Sequence, residues 1–160
     1  MRITELVTPA SIAVRVHIDD KPDALRFAAM ALGSRSGLDP EKIRVALAAR
    51  EELGSTGIGS GIAVPHVCIP HLGQSHALLC TLARPIAFDA IDSRPVDLVC
   101  ALISPTYSKP GVSESLSNLA AISRILRDKE TASAIRKAAS PWDIYNIIVR
   151  AVEKAAQLTN

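Results

Sequence analysis

Two short runs, Ala77-Leu78-Leu79-Cys80-Thr81-Leu82-Ala83 and Val96-Asp97-Leu98-Val99-Cys100-Ala101-Leu102-Ile103, are almost wholly apolar over the length of a strand. A strand with one wet face alternates apolar and polar side chains, so runs without alternation fit central strands covered on both faces. Helices must supply the cover. The pattern predicts them from Pro22 with an apolar face of Ala24, Leu25, Ala28, Ala29 and Leu32 before Gly33, and from Pro40 to about Glu52. It predicts three more over 113–127, 130–138 and 141–158. Asp20, Asp39 and Ser140 stand where N-caps belong, and Asp143 falls in the first turn of the last helix.

A further strand is expected over Ser11–His17 and another over Ser60–Val64, ending at Pro65, with His66 leaving it into an irregular loop. Helices and strands in this order indicate an α/β or α+β domain in two or three layers. The 160 residues, 48% hydrophobic, suit one core, and neither a repeat nor a long linker divides them, so 1–160 is one domain.

Composition narrows the partners. The net charge of +2 comes from 18 basic and 16 acidic residues without a basic block, and aromatics are only 3%, which leaves no platform for stacked bases. Nucleic acid is not an expected ligand. No stretch reaches the roughly 18–20 apolar residues of a membrane span, and the start lacks a signal core, so no membrane insertion and a cytoplasmic location are expected. Three cysteines, Cys68, Cys80 and Cys100, fit a reducing compartment.

The chemistry concentrates in Gly54-Ser55-Thr56-Gly57-Ile58-Gly59-Ser60-Gly61-Ile62-Ala63-Val64-Pro65-His66. Glycines allow close backbone approach, and N–H groups with hydroxyls can point at anionic oxygens. Common phosphate motifs fail here. Ser60 and Gly61 stand where a nucleotide P-loop needs Lys and Ser/Thr, and the glycine spacing misses the dinucleotide fingerprint. Gly59-Ser60-Gly61 is too tight for a hydrolase elbow.

What remains is His66 without an acid partner, near donors and Arg50. That set suits an imidazole that itself accepts a phosphoryl group, with Arg50, Ser55, Thr56 and Gly57 meeting its oxygens. Two other readings use the same residues. His66, Cys68, His71 and His76 lie close enough in sequence to suggest a metal site, and Arg50 can merely close its helix C-terminus.

Arg50 through His66, with Arg84-Pro85-Ile86-Ala87-Phe88-Asp89-Ala90-Ile91-Asp92, Pro95-Val96-Asp97-Leu98-Val99 and the opening Ile3-Thr4-Glu5-Leu6-Val7-Thr8-Pro9, resembles the enzyme IIA domains of the bacterial phosphotransferase system. The likeness is to the fructose/mannitol and nitrogen-regulatory type and covers essentially the whole chain. It implies a three-layer sandwich with a mixed central sheet, His66 as the phosphorylated residue and Arg50 as its phosphate partner. It further implies an HPr-like phosphocarrier as donor and no cofactor or metal. The resemblance points to the nitrogen-regulatory branch, whose phosphorylation state controls target proteins; a sugar-specific enzyme IIA passing phosphate to an enzyme IIB is the alternative. The family's second histidine is replaced by Ser115, which can hydrogen-bond phosphate but holds no positive charge. A module that has kept the fold and lost phosphorylation is the reading from another class.

Overall fold

The computed structural model describes residues 1–106 and 114–159. In chain order it runs α1 (Ile3–Leu6), a 3₁₀ turn (Pro9–Ser11), β1 (Ile12–Val16), α2 (Lys21–Ser36), α3 (Pro40–Glu52) and β2 (Gly57–Gly59). Next come β3 (Ile62–Ala63), β4 (His66–Ile69), β5 (His76–Ile86), β6 (Val96–Pro105), α4 (Glu114–Arg127), α5 (Lys129–Lys137) and α6 (Pro141–Leu158). Ser113, the expected start of the fourth helix, lies outside the described residues.

The two apolar runs pair antiparallel as β5 and β6 at the centre of a mixed sheet of order β1-β5-β6-β3-β2, with β1 parallel to β5 and both β3 and β4 parallel to β6. Each run feeds two cores by strand alternation. Leu78, Cys80, Val99, Ala101 and Ile103 pack with Leu25, Leu32, Ile43 and Leu47 of α2 and α3. Ala77, Leu79, Leu98, Cys100 and Leu102 pack with Ile122, Leu126, Ile135, Ile144 and Ile148 of α4, α5 and α6. This is a three-layer sandwich.

The caps form as the residue types dictate. Asp20 accepts from Asp23 N at 2.9 Å, Asp39 from Glu41 N at 3.0 Å and Ser140 from Asp143 N at 3.2 Å. The second helix overruns its expected stop at Gly33, ending instead before Gly37, whose φ of +79° is the left-handed C-terminal conformation. Gly33 is there for packing: a Cβ would sit 2.7 Å from Pro40 Cγ, so α2 and α3 approach only without one.

Two expectations need correction. The strand expected over Ser60–Val64 is shorter, β3 at Ile62–Ala63, and pairs with β2 in a hairpin that turns at Ser60 (φ +57°) and Gly61 (φ +79°), where two consecutive positive φ angles match the twist of the strands. His66 does not enter a loop; it begins β4, opposite Leu102. Pro65 interrupts only locally, since its carbonyl accepts from Leu102 N at 2.8 Å and the chain rejoins the same edge of β6.

Candidate functional site

Strand alternation decides which way His66 faces. It sits opposite Leu102, so it shares the sheet face covered by α4 to α6, while Val67, opposite Ile103, packs with the α2–α3 core. His66 is half-buried, and its Nδ1 lies 2.8 Å from Val64 O. A carbonyl oxygen only accepts, so Nδ1 carries the proton, and in the neutral ring Nε2 then holds the lone pair. The Val64 amide donates to Thr56 O at 2.9 Å. The imidazole is therefore fixed in tautomer and tilt through one residue tied to the glycine hairpin.

Cys68, two residues on, shares the His66 face and is exposed. Its Sγ lies 3.4 Å from Ser115 Oγ in the first turn of α4. Ser115 thus reaches the His66 strand, through a cysteine that the sequence offered only as a free thiol or a metal ligand. The other thiols are different in kind: burial pushes Cys80 and Cys100 up to about 12, so they remain protonated hydrophobes.

Arg50 comes from the opposite layer. α3 packs against β4 from the α2–α3 side, and Arg50, in its last turn, donates from Nη1 to Gly54 O at 2.8 Å. Nε and Nη2 have no partner among the described residues, and no hydrogen bond joins Arg50 to His66 there. One edge of the fork closes the helix; the other donors are open.

Ser55, Thr56 and Gly57 were expected to face an anion, and here their polar groups are used inside the chain. Ser55 Oγ donates to Phe88 O at 2.7 Å and accepts from Gly57 N at 3.0 Å. Thr56 is buried, its N–H bonded to Glu51 Oε1 at 3.0 Å and its hydroxyl donating to Glu51 Oε2. Glu51, also buried, is paired with Lys21 Nζ at 2.9 Å. A buried carboxylate must have its lone pairs met, and this loop meets them. Gly57 lacks room as well as a free N–H, because a Cβ would lie 2.7 Å from that of Ala90. These residues shape the segment that carries Val64 and His66. Glu51 adjoins Arg50 in the same sequence block, but its inward turn belongs to tertiary structure.

The hairpin turn is pinned from α5. Arg136 donates to Asp97 Oδ1 from Nε at 2.9 Å and to Ser60 O from Nη2 at 2.6 Å. Asp92 Oδ2 accepts from Ser60 N at 2.8 Å, and that backbone donor, with the Arg94 N–H, holds the Asp92 carboxyl below its ordinary value.

A metal site from His66, Cys68, His71 and His76 does not assemble. His76 lies opposite Ile103, so it belongs to the other sheet face from His66 and Cys68. No group of three or more His, Cys, Asp or Glu placed to hold a metal occurs among the described residues. A groove of about 550 Å³ between α4 and α6, lined by Ile3, Ile125, Val152 and Leu158, does not include His66. Beside the Gly54–Gly57 segment stand Leu53 and Ile91, each 85% exposed. Such side chains at a shallow polar site suit contact with another protein. No helix among the described residues is long and apolar enough to cross a membrane.

Comparison with known proteins agrees with this fold. Residues 5–151 match the family model "Phosphoenolpyruvate-dependent sugar phosphotransferase system, EIIA 2". The chain is 34% identical over 148 residues to a nitrogen regulatory protein of Bradyrhizobium diazoefficiens, covering 92% of this chain and 95% of that one. The crystal structure of nitrogen regulatory protein IIA-Ntr from Neisseria meningitidis superposes with a TM-score of 0.81 at 26% identity, covering 91% of this chain and 97% of that one. The IIA mannitol structure from Escherichia coli, 19% identical, shares the fold with a TM-score of 0.73 over 88% of this chain and 96% of that one. With the family model spanning nearly the whole domain, this chain belongs to the EIIA type 2 family of the phosphoenolpyruvate-dependent phosphotransferase system, a family of phosphoryl-transfer components.

Proposed function

We propose that His66 Nε2 is the phosphoryl acceptor, that the donor is a phosphohistidine on a small HPr-like carrier protein, and that the phosphorylation state of this chain controls partner proteins. The observation that carries this is the Nδ1 contact to Val64 O, which leaves Nε2 as the nucleophile. In the transfer, the Nε2 lone pair forms a bond to phosphorus as the donor's N–P bond breaks. The donor imidazole leaves with that electron pair, and the His66 proton stays on Nδ1. One phosphoramidate replaces another, so the step runs in either direction and the protein's work is to position donors for three charged oxygens.

Arg50 supplies its open guanidinium donors and Ser115 its hydroxyl, while Ser55, Thr56 and Gly57 hold the frame. Leu53 and Ile91 give an incoming carrier an apolar landing surface. Similarity to nitrogen regulatory proteins along 92% of the chain supports the regulatory branch over a sugar-specific one. A phosphoryl group adds about −1.5 to −2 charge at a shallow site, enough to make or repel contacts without refolding.

The test is incubation with labelled phosphoenolpyruvate, enzyme I and an HPr-like carrier. One acid-labile phosphate per chain is expected, and none in His66→Ala. Labelling that persists in His66→Ala overturns the acceptor assignment, and no labelling of the wild type leaves an interaction module as the reading. An enzyme IIB accepting the phosphate quantitatively from this chain overturns the regulatory branch.

A further inference from the structure

The first turns of α4 hold a polar group that phosphoryl acceptance as described above does not use. Asn118 is 3% exposed, and among the described residues its Nδ2 has no hydrogen-bond partner. Buried amide groups are nearly always paired, because one that leaves water without an acceptor has lost its hydration for nothing. Asn118 follows Ser115 by three residues, which puts the two side chains on one helix face with Cβ atoms about 5–6 Å apart. Ile122 and Leu126 continue that face into the core shared with Leu102, the partner of His66 in the sheet. Ser115 touches Cys68, and Cys68 shares the face of His66. His66, Cys68, Ser115 and Asn118 therefore follow one another along a single seam between β4 and α4.

Resting on His66 as acceptor, we propose that Asn118 is a positioning residue for the phosphoryl group, acting through Ser115. A hydroxyl has one proton to give and two lone pairs to fill. In the unmodified protein the Ser115 hydroxyl is paired with Cys68, and Asn118 Nδ2 has no acceptor among the described residues. When a phosphoryl oxygen stands over His66, Ser115 turns its proton toward that oxygen and Asn118 Nδ2 donates into the oxygen of Ser115. The chain of amide, hydroxyl and anion is polarised along its length, and a bond to a charged acceptor is stronger than the thiol contact it replaces. The unmet amide thus biases the site toward its phosphorylated form.

The test replaces Asn118 by leucine, which is close in size and removes the orphaned donor. If Asn118 is a positioning residue, Asn118→Leu keeps or raises the melting temperature of the unmodified protein, shortens the half-life of the phosphohistidine by about tenfold, the scale of one hydrogen bond to a charged group, and slows labelling from the carrier. Ser115→Ala should do the same, and Ser115→Ala with Asn118→Leu should be no worse than Ser115→Ala alone. Should leucine not be accommodated, Asn118→Ala gives the same readout. A phosphohistidine half-life unchanged in a folded Asn118 variant, or fully additive losses in the double variant, overturns the proposal. Failure of the wild type to take label counts against His66 as acceptor and not against Asn118, so the two failures are distinct.

Discussion

The ring of His66 closes on the carbonyl of Val64, two residues earlier, with Nδ1 and the oxygen 2.8 Å apart. A proton shared with a carbonyl stays on the ring, so chemistry is directed to the far nitrogen. Phosphate introduced from the carrier should therefore be found on Nε2, read from ¹⁵N–³¹P coupling in ring-labelled protein. A phosphate on Nδ1 would mean that the ring turns over before it reacts.

Arg50 has one donor on Gly54 O and others open. Arg50→Ala should slow labelling of His66 by about 10²–10³-fold, the usual effect of removing a donor aimed at developing charge. Its stability should change by no more than about 1 kcal/mol, since only a helix-terminal contact is lost. Arg50→Lys should fall between, keeping charge without the planar fork. Labelling of Arg50→Ala at the wild-type rate would reduce this arginine to a helix cap.

Gly61 and Gly37 share a φ of +79° but not their surroundings. Alanine at 37 meets nothing within 4 Å, whereas at 61 its Cβ would lie 2.8 Å from Arg136 Nη2 and 3.0 Å from Asp97 Oδ1. Both variants should lose about 1–2 kcal/mol to the left-handed backbone. Gly61→Ala should lose more, because Arg136 must give up Ser60 O or Asp97 to make room. Equal urea midpoints for the two variants would show that the Arg136 clamp contributes nothing.

His76 is half-buried, and burial first, then the nearby Arg35 guanidinium, holds its pKa below the ordinary 6.5. The unfolded chain then binds the proton more readily than the folded one. Its stabilising contribution is present above pH 6.5 and falls away as pH drops through the lower folded value. Urea midpoints should decline from pH 7 to about 5, and His76→Gln should flatten that slope. An unchanged slope in His76→Gln would assign the decline to other groups.

The sequence by itself determined the layers and pointed to the candidate site. Apolar runs at 77–83 and 96–103 fitted central strands and are paired as such, the N-caps Asp20, Asp39 and Ser140 placed their helices, and His66 with Arg50 stood out by residue type and spacing. These are local properties, set by periodicity and by what each side chain can donate or accept. Tertiary structure decided the rest. The glycine segment became a hairpin because Asp92, Asp97 and Arg136, distant in sequence, meet its turn, and Thr56 faces inward because Glu51 does. His66 and Cys68 gained a common face only when Pro65 let the chain rejoin β6, and Asn118 lost water only when α4 settled on that sheet. Which groups are left facing a ligand depends on who pairs with whom across the fold, and partners such as Asp92 and Arg136 lie far in sequence from the hairpin turn they hold.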